Sequence, residues 1–179
     1  RFDLLQVDAF SSDAIPVHLL TREALALYFH RLTEHGVLAV HISNRYLDLE
    51  PVLGNLAADP DLAAQVGLAA QVGLAADARL TALICRDSAA RDEGKFASNW
   101  VALARRPEDL GRLAAPAPKQ DEGKTAKEGK TAKENPWKPL PPKPGDRLWT
   151  DDFSNIMDVL NGGFDWRRLL PWTWEQSEE

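Results

Sequence analysis

The apolar run Phe2–Val7 ends in an acid, Asp8, followed by Ala9-Phe10-Ser11-Ser12-Asp13-Ala14-Ile15-Pro16. A strand, an acid, a short polar loop and then a helix is how open α/β sheets place a reactive carboxylate, because ligands bind there outside the carboxyl ends of the strands. Such a carboxylate can serve as a general base or anchor a cation. The local alternative is an Asp that accepts hydrogen bonds from the turn after it. His18 and His41 stand nearby in the pattern, one in the loop before a helix and one at a strand end. A lone His in either place is more often structural than catalytic. No spacing of His, Asp or Glu resembles a metal site. No Gly-x-Ser-x-Gly elbow occurs, and Cys85 falls inside a strand, so the residue types point away from covalent nucleophilic catalysis. Asp151 and Asp152 are adjacent, so they point different ways and read first as a helix cap.

The elements that must hold these groups follow from the apolar pattern. Phe2–Val7 reads as a buried strand. Thr21 caps a helix running to about His35, with Leu25, Leu27, Tyr28 and Leu32 on its apolar side and Gly36 as its stop. Val37–Ile42 is a second buried strand, and Asp48 caps a helix through Leu56 that carries Pro51 in its first turn. Leu80–Cys85 and Trp100–Ala104 read as two further strands joined through the polar stretch Arg86–Ser98. Strand, helix, strand, helix and then two nearer strands predict an α/β fold: a parallel sheet ending in an antiparallel pair, the C-terminal half of a Rossmann-like, methyltransferase-type sheet.

Residues 1–113 form this expected half-domain. Residues 114–146 are rich in Pro, Lys, Glu and Ala and read as a disordered, low-complexity linker. Residues 147–179 hold a last helix, opened by Leu148–Ile156 and capped by Thr150 or Asp151, and a tail with Trp166, Trp172 and Trp174. Two hexapeptides are doubled, Ala63–Leu68 with Ala69–Leu74 and Glu122–Lys127 with Glu128–Lys133. A period of six fits neither a helix nor a solenoid unit, so local duplication is the simpler account, the first pair extending a helix or its loop.

With 179 residues the chain has room for one ordinary domain. A net charge of −6 argues against nonspecific nucleic-acid binding and suits a cationic partner. The single cysteine excludes an internal disulfide and suggests a reducing compartment. No run approaches the ~18 apolar residues of a membrane span, and no signal peptide opens the chain. The immediate start in a strand is expected of the middle of a domain.

The segment from Asp8 resembles the polyamine aminopropyltransferases, the spermidine and spermine synthases, and especially their bacterial spermidine-synthase-like relatives. In the synthases the corresponding strand ends in Asp-Ser-Ser-Asp-Pro or a close variant, whose first Asp is the general base. Asp8 matches that Asp, and its distance to Leu19-Leu20 fits the family's Leu-Phe pair without a gap. Trp149-Thr150-Asp151-Asp152-Phe153-Ser154-Asn155 is typical of the spermidine-synthase-like branch. The resemblance covers about residues 1–105 and 145–160. It implies aminopropyl transfer from decarboxylated S-adenosylmethionine, a cosubstrate and not a permanently bound cofactor, to a small amine. Asp8 is then the catalytic base, Ser11, Ser12, Asp13 and His41 lie on the amine side, and Pro16 lies beside the nucleoside. Asp151 and Asp152 are further site candidates should their cap lie next to the cleft.

Departures from the synthase pattern gather on the amine side. Ser11 stands where the synthases carry a second Asp, with Asp13 two residues later. Pro16 is displaced by one place, His41 ends the strand that ends in Gln in several synthases, and Asp87–Lys95 lacks the Tyr of the amine-holding loop. The Gly-rich loop and the ribose-holding acid of the nucleotide-binding half do not occur, so the expectation is the C-terminal part of a larger protein. Relatives in this branch often carry transmembrane segments ahead of the catalytic domain. The expected location is therefore the cytoplasm, or the cytoplasmic face of a membrane, and the expected assembly includes a homodimer. A methyltransferase of the same sheet architecture and a noncatalytic truncated fragment stay open beside the aminopropyltransferase.

Overall fold

A computed structural model describes residues 1–9, 16–44, 46–68, 79–87, 98–115 and 135–160. Strand β1 (Phe2–Val7) leads, through a short 3-10 turn at Val17–Leu19, to helix α1 (Arg22–Arg31) and strand β2 (Leu32–His41). Helices α2 (Glu50–Ala58) and α3 (Pro60–Gln65) follow, then strands β3 (Thr81–Asp87) and β4 (Ser98–Ala104). After 3-10 turns over Pro107–Leu113, strand β5 (Trp137–Pro139) completes a five-stranded sheet of order β1-β2-β4-β3-β5. β1 and β2 are parallel; β2–β4, β4–β3 and β3–β5 are antiparallel. The molecule is thus an α/β protein with a mixed, open sheet.

The two faces of the sheet follow from strand alternation. Leu38, Val40, Ile84, Val101 and Leu103 point into the main core, where Leu25 and Phe29 of α1 and Leu53 and Leu56 of α2 join them. The intervening residues Leu83, Ala102 and Ala104 face the other way and are covered by Leu110, with Val37, Leu113 and Trp137 packed around them. β1 sits at one edge of the sheet, with Phe2 and Leu4 both 60% exposed.

Several elements depart from their expected bounds. Thr21 caps α1 as expected, its Oγ1 accepting from Ala24 N–H at 3.2 Å. The helix ends at Arg31, however, and Leu32 already has extended dihedrals. A long-range contact ends it: the Arg105 guanidinium donates to the carbonyls of Phe29, Thr33, Glu34 and Val66. Burial lowers the pKa of that guanidinium. Gly36 is not the helix stop but a point of close approach, where a Cβ would lie 2.9 Å from Leu32 Cβ and 3.0 Å from the Phe2 carbonyl oxygen. Leu25, Ala26 and Phe29 form the buried face of α1, whereas Leu27 is exposed.

Asp48 accepts from Glu50 N–H at 3.1 Å just ahead of α2, which carries its proline in the first turn and runs on to Ala58. Asp59 then caps α3, accepting from Asp61 and Leu62 N–H, and pairs with Arg22 at 2.6 Å. The first copy of the doubled Ala-Ala-Gln-Val-Gly-Leu completes α3, and the second lies outside the described residues.

Residues 135–146, inside the expected linker, carry β5 on the edge of β3 and a segment packed on α2. Leu140 is buried there, and Lys143 N–H donates to Asn55 Oδ1 at 2.7 Å. Apolar Trp137 and Leu140 supply the burial that the average composition of 114–146 conceals. The rest of that stretch, 116–134, lies outside the described residues. The expected last helix is instead a tight turn bridging Thr150 and Phe153, then a 3-10 turn at Ile156–Val159 capped by Asn155. Thr150 and Asp151 are therefore not its caps. Pairing of Asp48 N–H with the Val159 carbonyl at 2.7 Å holds this segment beside the start of α2. The Trp-bearing tail lies outside the described residues.

Candidate functional site

Parallel pairing of β1 with β2 sets Gln6 beside Ala39 and Val7 beside Val40. Asp8, one residue further, consequently arrives beside His41, the last residue of β2. His41 in turn pairs with Trp100 of β4, and Trp100 with Cys85 of β3. Acid, imidazole, indole and thiol thus form one row across the sheet, at the carboxyl ends of the two parallel strands.

Side-chain contacts follow this row. His41 Nδ1 lies 2.7 Å from Asp8 Oδ1, and the His41 ring stacks on the Trp100 ring with centroids 4.8 Å apart. Ser98, two residues before Trp100 and therefore on the same face, places its Oγ 3.5 Å from His41 Nε2. The Trp100 indole N–H donates to that same Oγ at 2.9 Å. The His41 side chain is 14% exposed and that of Asp8 47%, so the imidazole is enclosed while the carboxylate opens to solvent. Beyond Trp100 in the row, burial and then the Asp87 carboxylate raise the Cys85 thiol above its ordinary pKa, which keeps it protonated and poorly nucleophilic.

Of the residues singled out from sequence, Asp8 and His41 are brought into direct contact. Ser11, Ser12 and Asp13 lie outside the described residues. Pro16 precedes the 3-10 turn at Val17–Leu19 and makes a turn bond, its carbonyl accepting from Leu19 N–H at 2.9 Å. Asp151 serves the start of α1: its Oδ1 accepts from Thr21 Oγ1 at 2.7 Å, and its N–H donates to Glu23 Oε2. Asp152 is exposed in the turn that follows. Sequence reading missed Ser98 and Trp100. The signal available was a Ser-x-Trp alternation at the start of a strand, which becomes informative only once the register with His41 is known.

A cavity of about 560 Å³ opens between the Val17–Leu19 turn, α1 and the 150–154 turn. His18, Leu27, Tyr28 and Asp151 are among its lining residues, and burial raises the pKa of the Tyr28 hydroxyl. Neither Asp8 nor His41 lines it. The ionisable constellation at the strand ends, and not this cavity, is accordingly the candidate site.

Among the described residues no group of three or more His, Cys, Asp or Glu side chains is arranged to hold a metal ion. No helix among them is long and apolar enough to cross a membrane. No protein-family model, no curated protein and no solved structure matches the chain.

Proposed function

We propose that this chain carries the amine-activating part of an aminopropyltransferase of the spermidine-synthase-like kind, with Asp8 as the general base. The observation that carries the reading is the Asp8–His41 pair, in which an enclosed imidazole holds one oxygen of a half-exposed carboxylate at the end of a parallel strand. His41 Nδ1 on Oδ1 leaves Oδ2 of Asp8 to meet an ammonium. The amine proton passes to Asp8. The freed nitrogen then bonds to the aminopropyl carbon as the carbon–sulfur bond of decarboxylated S-adenosylmethionine breaks, and the sulfonium leaves as a neutral thioether. The parallel pair β1–β2, with helices packed on one face, supports a Rossmann-like sheet as the frame. Ser11, Ser12 and Asp13 stand on the amine side by resemblance, as Pro16 does on the nucleoside side.

The test offers the protein decarboxylated S-adenosylmethionine and a panel of amines. Asp8→Asn keeps shape but removes the proton acceptor, so turnover should fall by roughly 10²–10⁴-fold. Turnover near that of the wild type would end the assignment. Methylated products instead of aminopropylated ones would make the protein a methyltransferase.

One observation favours a second reading. Asp8, His41 and Ser98 stand in the order acid, imidazole, hydroxyl, with Nδ1 toward the acid and Nε2 toward the hydroxyl, as in acyl-transfer enzymes. Two facts weigh against it. The indole of Trp100 already donates to Ser98 Oγ, and the N–H of Asn99 is spent on Ser43 Oγ at 2.6 Å instead of facing a developing oxyanion. Labelling of Ser98 by a fluorophosphonate, lost in His41→Gln, would bring the second reading to the front.

A further inference from the structure

We propose that Ser98 and Trp100 are positioning residues that fix His41 as its Nδ1–H tautomer and through it aim Asp8; this rests on Asp8 being the working carboxylate. The donors and acceptors favour one direction of travel. An indole N–H can only donate, so Ser98 Oγ must accept from Trp100 at 2.9 Å. The hydroxyl proton of Ser98 is then free to turn toward His41 Nε2, 3.5 Å away. An Nε2 that accepts leaves the ring proton on Nδ1, and Nδ1 stands 2.7 Å from an oxygen that, in a carboxylate, can only accept. Every link therefore points from Trp100 through Ser98 and His41 to Asp8. The Ser98 hydroxyl has a second lone pair that could accept from Nε2–H, but that order would set a bare Nδ1 lone pair against the Asp8 carboxylate oxygen at 2.7 Å.

Orientation is fixed by the same residues. Trp100 lies directly across the ladder from His41 and stacks on its ring at an interplanar angle of 26°. One side chain thus sets the plane of the imidazole and, through Ser98, its proton. Links within a chain of this kind polarise one another, so loss of the far end is felt at the carboxylate. The enclosed end of the chain is built from the sheet itself, and the open end is Asp8.

The test reads the ring nitrogens of His41 in the ¹⁵N-labelled 179-residue chain by long-range proton–nitrogen correlation, with the signals identified by their loss in His41→Gln. The Nδ1–H form should dominate in the wild type. In Ser98→Ala the ratio of Nδ1–H to Nε2–H should fall by about two- to tenfold, the worth of one hydrogen bond. Ser98→Thr should restore it. Trp100→Phe, which keeps a stacking ring but no N–H, should shift the ratio in the same direction as Ser98→Ala. A wild-type ring protonated at Nε2, or an unchanged ratio in Ser98→Ala, would overturn the proposal. No substrate enters this measurement, so a failed transfer assay bears on the function proposed for Asp8 and not on the tautomer.

Discussion

Two acids in this molecule take opposite parts, and their surroundings say which. Asp8 is held on one side by His41 and open to solvent on the other. Asp109 is closed in, its side chain 3% exposed and held by His35 at 2.8 Å and by Arg106 at 3.4 Å. Burial alone would raise its pKa, but the hydrogen bonds from His35 and Arg106, with their charges, outweigh that and leave it lowered. A carboxyl whose folded pKa is depressed stabilises the fold above its unfolded value, about 3.9, and that stabilisation fades as pH falls through the folded value. Asp109→Asn should therefore lower the urea midpoint at pH 7, and the gap from wild type should shrink at pH 3. An equal gap at both pH values would show that the Asp109 charge is not what matters. At this scale the sequence was legible for Asp8 and His41, because each ends an apolar run. Ser98 was not, because its meaning comes from a partner 57 residues away in the chain.

Among the elements, β3, β4 and the cap at Thr21 follow from local pattern; β2 starts five residues before its expected Val37, and β1 keeps its bounds of Phe2–Val7 but is an exposed edge strand, not the buried one expected. The end of α1 does not follow from it. Leu32 continues the apolar spacing of the helix, yet the carbonyls that would carry the helix on are taken by Arg105, a residue of the turn after β4. Composition likewise hid β5, whose three residues lie in a stretch dominated by Lys, Pro and Glu. The packing of that segment on α2 gives a prediction whose sign is diagnostic. Gly54 lies inside α2, where Gly→Ala ordinarily stabilises by up to about 1 kcal/mol. Here a Cβ would meet the Pro141 carbonyl oxygen at 2.5 Å. Gly54→Ala should destabilise instead, by the roughly 1–3 kcal/mol of an overpacked contact, and loosen the 139–142 segment. A stabilised variant by chemical denaturation would show that residues 140–142 do not rest on α2.

For the whole molecule, what governs behaviour in solution is that the two ends of the sheet are unlike. β1 ends it with paired apolar side chains, Phe2 and Leu4, in the open. A parallel strand is ordinarily covered on both faces, and among the described residues no strand pairs with the outer side of β1. Phe2→Lys with Leu4→Glu should reduce concentration-dependent association of the 179-residue chain, measured by light scattering, while leaving the Asp8–His41 contact intact. Undiminished association would place the sticky surface elsewhere. The opposite end is blunt: β5 is three residues long and closes with Pro139, which has no N–H to offer a newcomer. Among the described residues β5 thus offers a new strand a much shorter ladder than β1 does. Two copies that pair edge to edge through β1 would be related by a two-fold axis, each supplying the same strand.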